Sequence, residues 1–562
     1  MGHMTGAELT IRLLERQGVT GIAGIPGGCN LPLYDALYKS SRITHILARH
    51  EQGAGFIAQG MARTSGLPAV FFATSGPGAT NTLTALADAK LDSVPIICIT
   101  GQVPLSLIGT DAFQEIDIYG MSVPATKHNF LVRSIEELAN VIPLAFSIAA
   151  SGRPGPVLID IPKDVQCATI DLDNFALPEP GRAEAPLQPD TAQLAQAAQL
   201  LNASKRPILL FGGGTANPKA ADAALILVER YRLPAAMSLQ GLGVIPVEHE
   251  LSLGMLGMHA ARFTNLLVQE CDLLLVAGGR FDDRATGLLD QFCPDAKVIH
   301  IDIDAGEMGK LRAPDVGLVA DAALALEGLT PLLKQIDRSP WLHRMAALKS
   351  EHGMQLDRAD DPLSPYGIVR CSAQLAKGET IVATDVGQHQ MRTAQAYPFA
   401  GTRRWLTSGG LGTMGFGLPA AIGAAIARPK ATVLCFSGDG SLLMNIQELA
   451  TAADLGVNVK ILLCNNQGLG LVQQQQDLFY GGRVFASAYP RPTNFVRIAE
   501  GFGIPAITLS TSSDPMADLH KALNTPGPCL IEVKVSAEDK VFPMVPPGAA
   551  NVEMIGGEHH DR

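Results

Sequence analysis

Residues 432–467 read TVLCFSGDGSLLMNIQELATAADLGVNVKILLCNNQ. Thr432–Phe436 is an apolar run of strand length, and Gly438-Asp439-Gly440 turns the chain into a helical stretch that opens at Ser441. Leu443, Ile446, Leu449 and Ala453 recur at helical spacing, Gly456 supplies the stop, and Val459–Cys464 is a second apolar run ending at Asn465-Asn466. Two such runs joined by a helix predict parallel strands buried on both faces. That unit brings Asp439 and Asn466 to one carboxyl edge, where open α/β sheets bind ligands. A carboxylate, an amide oxygen and a backbone carbonyl are hard donors of the kind Mg²⁺ takes alongside water and phosphate oxygens. Gly438 and Gly440 leave backbone N–H groups and a helix N-terminus open to a diphosphate. The spacing points to a Mg²⁺–diphosphate anchor; an Asp-capped helix followed by an ordinary Asn turn is the alternative.

Outward from this unit, apolar runs recur at Ala69–Ala73, Pro95–Thr100, Val157–Asp160, Ile208–Phe211, Leu273–Ala277 and Val298–Asp302, with amphipathic helical stretches between them. The alternation predicts an α/β fold of three doubly wound parallel-sheet domains. Composition places them at 1–176, 190–338 and 362–550: a Pro-, Glu- and Ala-rich linker fills 177–189, and a polar helical connector surrounds Trp341–Asp361. A chain of 562 residues is too long for a single hydrophobic core. Only 17% of the residues are charged, and the net charge of −11 argues against nucleic acid but not against small anions, which local arginines govern. No run of 18 apolar residues suggests a membrane span; Phe416–Ala427, interrupted by Pro419, reads as a buried helix. Nine cysteines without a C-x-x-C pair fit a reducing cytoplasm and argue against a cysteine-held metal. Met1-Gly2-His3-Met4 reads as a leader added for expression and carries no signal-peptide pattern.

The first and third segments read as diverged copies. Ser75-Gly76-Pro77-Gly78 opens a helix ahead of a strand ending at Gly101-Gln102, as Ser437-Gly438-Asp439-Gly440 does ahead of Asn465-Asn466-Gln467. Generic α/β likeness is the alternative. Pro77 replaces the aspartate, so only the third segment can hold a metal in this way. In the middle segment, Gly212-Gly213-Gly214 and Asp302-Ile303-Asp304 each follow a strand, which suits a dinucleotide with phosphates at the glycines and an acid near a ribose or adenine. Without G-x-G-x-x-G this signal is weak alone.

Further motifs stand in order: Ile25-Pro26-Gly27-Gly28, Arg49-His50-Glu51-Gln52, Thr74 to Asn81 (TSGPGATN), Gly109 to Glu115 (GTDAFQE), Gly152-Arg153-Pro154-Gly155-Pro156, Arg280-Phe281-Asp282-Asp283-Arg284, Asp385 to Gln390 (DVGQHQ) and Leu411-Gly412-Thr413-Met414-Gly415. On these, from Thr5 to Met554, the chain resembles the acetohydroxyacid synthase (acetolactate synthase) large catalytic subunits of the thiamine-diphosphate enzyme family, in particular the enterobacterial isozyme I type. The resemblance implies thiamine diphosphate, Mg²⁺ and FAD, with the metal on Asp439, Asn466 and the Gly468 carbonyl. Glu51 would activate the aminopyrimidine, although on bare sequence it would read as part of a solvated loop. Met414 would be the apolar wedge that bends the cofactor, with Gly412 and Met414 offering backbone contacts. Val386, Gly387, Gln388 and His389 would meet the diphosphate, though His389 alone would read as structural. Pro26, Thr74, Pro77, Asn81, Gln114, Gly438, Gly440, Ser441 and Leu469 complete the implied thiamine-diphosphate contacts. Arg153, Gly212, Gly213, Gly214, Leu256, Gly257, Met258, His259, Gly279, Arg280, Asp282, Arg284, Asp302, Ile303 and Asp321 complete the cofactor set on the FAD side, where the flavin is structural.

For substrate, the resemblance gives Arg284, whose planar fork suits a carboxylate, to the second 2-oxoacid. Phe113 and Met258 would wall the acceptor pocket, or be ordinary core. Gln114 and Lys163 fall at active-site positions, and Gly28 at a cofactor-side backbone donor. The implied reaction decarboxylates pyruvate on thiamine diphosphate and condenses the two-carbon carbanion with pyruvate or 2-oxobutyrate, the first common step of branched-chain amino-acid biosynthesis. Domains of different subunits meet at the family's sites, which implies a homodimer or homotetramer with shared active sites, and a small regulatory subunit is a further candidate partner. A pyruvate oxidase-like flavoenzyme, a 2-oxoacid decarboxylase and a catalytically silent scaffold are the alternatives; Glu51, Asp439 and Asn466 together argue against silence. Two positions depart from the family. Gln475 stands where many members have a Trp that shapes the acceptor pocket, which predicts weak discrimination between acceptors. Arg392 stands where the family usually has Trp, either as neutral surface variation or as a perturbation of the diphosphate loop.

Overall fold

The computed structural model describes residues 2–556, and its principal strands form three six-stranded sheets in which every neighbouring pair is parallel. The first holds β1 (Gly21–Gly24), β2 (Thr44–Leu47), β3 (Ala69–Ala73), β4 (Ile96–Gln102), β5 (His128–Leu131) and β6 (Val157–Pro162). The middle sheet holds β7 (Pro207–Phe211), β8 (Ala235–Met237), β9 (Ser252–Met255), β10 (Leu273–Ala277), β11 (Lys297–Asp302) and β12 (Val316–Val319). The third holds β13 (Thr380–Thr384), β14 (Trp405–Leu406), β15 (Thr432–Gly438), β16 (Val459–Asn465), β17 (Ala506–Thr508) and β18 (Cys529–Lys534).

The first sheet runs β2-β1-β3-β4-β6-β5 and the third β14-β13-β15-β16-β18-β17, the same order shifted along the chain. The middle sheet runs β9-β8-β7-β10-β11-β12, the doubly wound dinucleotide-binding order. In each, the direction of winding reverses between two adjacent strands: β1 and β3, β7 and β10, β13 and β15. Helices cover both faces, which is why β3, β10 and β16 are buried along their whole length.

The first and third sheets share one core through α1 (Glu51–Ser65) and α4 (Gly417–Ala427). Close approach requires glycine here: a Cβ on Gly60 would come 3.0 Å from Ala420 Cα, and one on Gly423 3.0 Å from the Met61 nitrogen. Phe56 and Phe416 close the contact edge-to-face at 5.3 Å between ring centroids. Phe416 onward is thus a buried helix, as its sequence suggests, and among the described residues no helix is long and apolar enough to cross a membrane.

One local expectation is corrected. The helix after Asp439 is not continuous: α5 (Asp439–Met444) stops and α6 (Glu448–Leu455) restarts, because Asn445 turns its amide to donate to the Gly415 carbonyl at 2.8 Å. Leu443 is consequently exposed rather than part of a buried face. His3–Thr5 forms a strand antiparallel to Thr169–Asp171.

Gly60→Val should lower the thermal midpoint in calorimetry by several degrees, since overpacking a buried contact costs about 1–3 kcal/mol. An unchanged midpoint would contradict the close α1–α4 packing.

Candidate active site

The motifs cluster at the three points of reversed winding. In the third sheet, Asp385-Val386-Gly387 leaves β13 into α3 (Gln388–Ala396), and Gly438-Asp439-Gly440 leaves β15 into α5. Asp439 is 2% exposed, and the Gly468 N–H donates to its Oδ2 at 3.0 Å. Burial raises its pKa to about 6, although backbone N–H groups of Gly440 and Gly468 favour the carboxylate. Asn466 follows β16 and donates its amide N–H to Gln388 Oε1 at 3.5 Å, leaving its own Oδ1 uncommitted to that bond. Among the described residues no three His, Cys, Asp or Glu side chains converge to hold a metal. A cation here would therefore share Asp439 with neutral oxygens, those of Asn466 and Gly468, and with phosphates of its ligand.

Crowding explains the glycines. A Cβ on Gly438 would come 2.7 Å from His389 Nδ1, and one on Gly440 2.7 Å from Leu469 Cδ2. His389 is buried with Nε2 unpartnered, and burial pushes its pKa down to about 3, so the ring is neutral. Ser441 Oγ donates to the Val386 carbonyl at 2.7 Å, joining the two loops. Asp385 is buried and accepts from the Gly415 and Gly417 N–H groups, at 2.8 and 3.0 Å, and from Ser437 Oγ at 2.7 Å. It thereby fixes the backbone beside Met414, whereas Gly412 is exposed.

In the first sheet, Glu51 opens α1 and accepts from Asn81 Nδ2 at 2.9 Å. A Cβ on Gly78 would come 2.7 Å from Thr74 Cγ2 and 3.2 Å from Glu51 Oε1, and one on Gly27 would come 2.6 Å from Thr74. The loops Pro26–Gly28 and Pro77–Asn81 thus converge with Thr74 and Glu51. The hydroxyls of Thr74 and Ser75 are buried without a partner, and Gly28 is exposed. Gln114, at φ 58°, lies against Gly76, while Phe113 is 87% exposed. Lys163 is half-buried and starts a short helix directly after β6.

In the middle sheet, Gly212–Gly214 passes so close to the loop after β10 that a Cβ on Gly214 would come 2.7 Å from Gly278 Cα. Gly213 sits between them, and Gly279 accepts from His300 Nε2 at 2.8 Å, next to half-buried Arg280. Asp302 is buried at the end of β11, ahead of Ile303; Asp282 and Asp321 cap short helices. Arg153 is committed within the chain to Asp304 at 3.1 Å and Glu307 at 2.8 Å. Leu256 and Gly257 lead into Met258, whose N–H donates to the Arg284 carbonyl at 2.8 Å. Arg284 Nη1 lies 4.0 Å from Met258 Sδ, and the two line a cavity of about 260 Å³ with Val545 and Pro546. His259 pairs with the Pro543 carbonyl at 3.1 Å, and burial lowers its pKa to about 4. Phe113 and Met258 belong to different sheets. Gln475 is exposed on α7 (Gly470–Phe479), while its neighbour Gln474 binds both the N–H and the carbonyl of Val541.

Sequence reading missed two carboxylates. Asp385 was visible within its motif but had no assigned task. Glu448, on α6, accepts from the Arg49 N–H at 3.0 Å and from Thr451 Oγ at 2.7 Å, fixing the start of the helix that carries Glu51. No local pattern announces a partner 399 residues away.

Comparison with known proteins finds three family matches: the N-terminal TPP binding domain of thiamine pyrophosphate enzymes over residues 4–121, their central domain over 194–329, and their C-terminal TPP binding domain over 385–533. The chain is 57% identical to the acetolactate synthase isozyme 1 large subunit of Escherichia coli (strain K12), over 99% of this chain and 98% of that protein. It is 45% identical to the isozyme 2 large subunit of the same organism, over 98% and 99%. It is 43% identical to the chloroplastic acetolactate synthase of Arabidopsis thaliana, over 98% of this chain and 84% of that protein.

Because the Asp439 pKa is raised to about 6, the cofactor-free fold holds a proton that the unfolded chain releases between about pH 4 and 6. The ionised group therefore costs stability increasingly as pH rises through that window, of order 1–3 kcal/mol above it. Asp439→Asn should raise the melting midpoint of the cofactor-free protein near neutral pH, with the gain shrinking as the pH falls through the same window. A variant less stable than wild type at neutral pH would count against this account.

Proposed function

The chain belongs to the acetolactate synthase family of thiamine pyrophosphate enzymes, and from that premise we propose how its residues make acetolactate. One pyruvate loses CO₂, and its two-carbon remainder joins a second 2-oxoacid: pyruvate gives 2-acetolactate, and 2-oxobutyrate gives 2-aceto-2-hydroxybutyrate. The observation that carries the assignment of roles is the pair of matched sites at the winding reversals of two like sheets, one with Glu51 and the other with Asp439 and Asn466. Thiamine diphosphate, when bound, supplies the carbon nucleophile.

Asp439, Asn466 Oδ1 and the Gly468 carbonyl hold Mg²⁺, and the loops at Val386–His389 and Gly438–Ser441 receive the diphosphate against backbone N–H groups. Glu51 holds the proton at the pyrimidine N1′, with Asn81 orienting its carboxylate. Met414 supplies apolar support from a loop tied to Asp385. Arg284 grips the acceptor carboxylate beside the cavity it lines with Met258. The middle sheet, with its dinucleotide-binding strand order and glycine-lined crevice, suits FAD in a structural role.

Glu51 and Asp439 stand on different sheets, and exposed apolar side chains, Phe113 and Leu31 on the first and Leu411 and Met444 on the third, flank both motif clusters. This favours a dimer in which Glu51 of one copy serves the diphosphate site of the other. Two bacterial relatives are named large subunits, which favours a smaller regulatory partner. Nine free cysteines fit the cytoplasm.

Acetolactate formed from pyruvate should require thiamine diphosphate and Mg²⁺; aldehyde as the main product, or flavin bleached by pyruvate, would overturn the assignment. Glu51→Gln should slow acetolactate formation by about 10²–10⁴-fold while cofactor still binds. In competition kinetics pyruvate and 2-oxobutyrate should be weakly discriminated, because Gln475 in place of an indole forfeits much of the roughly 1–3 kcal/mol that a methylene is worth in an apolar pocket. A strong 2-oxobutyrate preference would sink this reading of Gln475.

A further inference from the structure

Arg392 is not surface variation. It sits one turn after His389 on α3, is 3% exposed, and has no carboxylate within ion-pairing distance among the described residues. Its Nη2 donates to the Asp539 carbonyl at 2.8 Å, the Tyr366 ring lies 5.9 Å from its Cζ, and its buried Nε has no partner. The Asp539 side chain is exposed. A buried guanidinium without a counter-ion is costly, and such groups persist where something compensates the charge.

The neighbouring site has the opposite imbalance. Val386, Gly387, Gln388, Ser441 and Asn466 are neutral by type, and His389 is held neutral by burial. Asp439 adds a negative charge. A diphosphate with one divalent cation and one carboxylate leaves a net negative cluster, and none of these residues offsets it. Arg392 connects to the cluster physically: the Asp539 carbonyl that it binds also accepts from Gln388 Nε2 at 2.9 Å, and Gln388 Oε1 accepts from Asn466 Nδ2 at 3.5 Å.

We propose that Arg392 is a positioning residue whose buried charge balances the Mg²⁺–diphosphate cluster and whose hydrogen-bond chain through Gln388 orients the Asn466 amide. The proposal rests on the reading of Asp439 and Asn466 as the diphosphate anchor, and it goes beyond that reading by assigning the anion's counter-charge to a residue outside the anchor itself.

The test measures binding of thiamine diphosphate and of thiamine monophosphate, each with Mg²⁺, to the cofactor-depleted full-length protein by titration calorimetry. Arg392→Met should weaken thiamine diphosphate about tenfold, or about 1.4 kcal/mol, and weaken the monophosphate less. Arg392→Lys, which keeps the charge, should recover most of the loss. Equal loss for both ligands with no recovery by lysine would mean a packing role and overturn the proposal, as would unchanged affinity in Arg392→Met. Melting curves of the cofactor-free variants identify any that fail to fold, in which case Arg392→Gln takes the place of methionine. Asp439→Asn separates the two layers. If it leaves thiamine diphosphate affinity intact, the anchor reading itself fails; if it abolishes binding while Arg392→Met leaves the affinity unchanged, only the proposal about Arg392 fails.

Discussion

The carboxylate of Asp385 is the constraint on which the third-sheet site depends. It is buried, its pKa is raised by burial, and it is satisfied by two backbone N–H groups and one hydroxyl. Those donors come from the loop that carries Met414, the start of α4 and the end of β15. One side chain therefore fixes three segments that are distant in sequence. A buried carboxylate that lost any of these bonds would pay a desolvation penalty of about 1–3 kcal/mol, so the loop geometry is held firmly. Gly417 makes room for it: a Cβ there would come 2.6 Å from the Asp385 nitrogen.

Glu448 performs the matching task between sheets. It reaches from α6 to the backbone at Arg49, next to the helix start that presents Glu51. The α1–α4 contact supplies the apolar area that holds the two sheets together, and the Glu448 bond sets where α1 begins. In both cases a buried carboxylate is compensated mainly by hydroxyl and backbone N–H donors, with the Arg49 charge a lesser help at Glu448, so position is its main contribution.

Much of this was legible in the sequence for a physical reason. Central strands such as β3, β10 and β16 are apolar on both faces, so their runs stand out, and observed ends differ from the expected ones by no more than two residues where they differ at all. Short edge strands, β14 at Trp405–Leu406 and β17 at Ala506–Thr508, carry too few residues to show a period. The break at Asn445 depends on a carbonyl 30 residues away, and no local pattern encodes it. Arg392 was misleading for a related reason. Its polar type left neutral surface variation open, yet Gln388, His389, Gln390 and Arg392 are all buried, because α3 lies under the Asp539–Val541 segment.

The shared strand order of the first and third sheets gives this division of labour a structural logic. Both copies place a glycine-rich turn at the same reversal of winding, so both can bring backbone close to a ligand. What differs is the residue beside the glycine. Asp439 offers a carboxylate to the cation of the proposed anchor, whereas Pro77 at the matching place starts a short helix with no carboxylate, next to Asn81 and Glu51. A carboxylate at position 77 would add a second negative charge close to Glu51. Like charges that close disfavour ionisation of both, which would disturb the proton that Glu51 is proposed to hold. In the proposed arrangement the two copies can serve one cofactor because only one of them carries an acid for the metal.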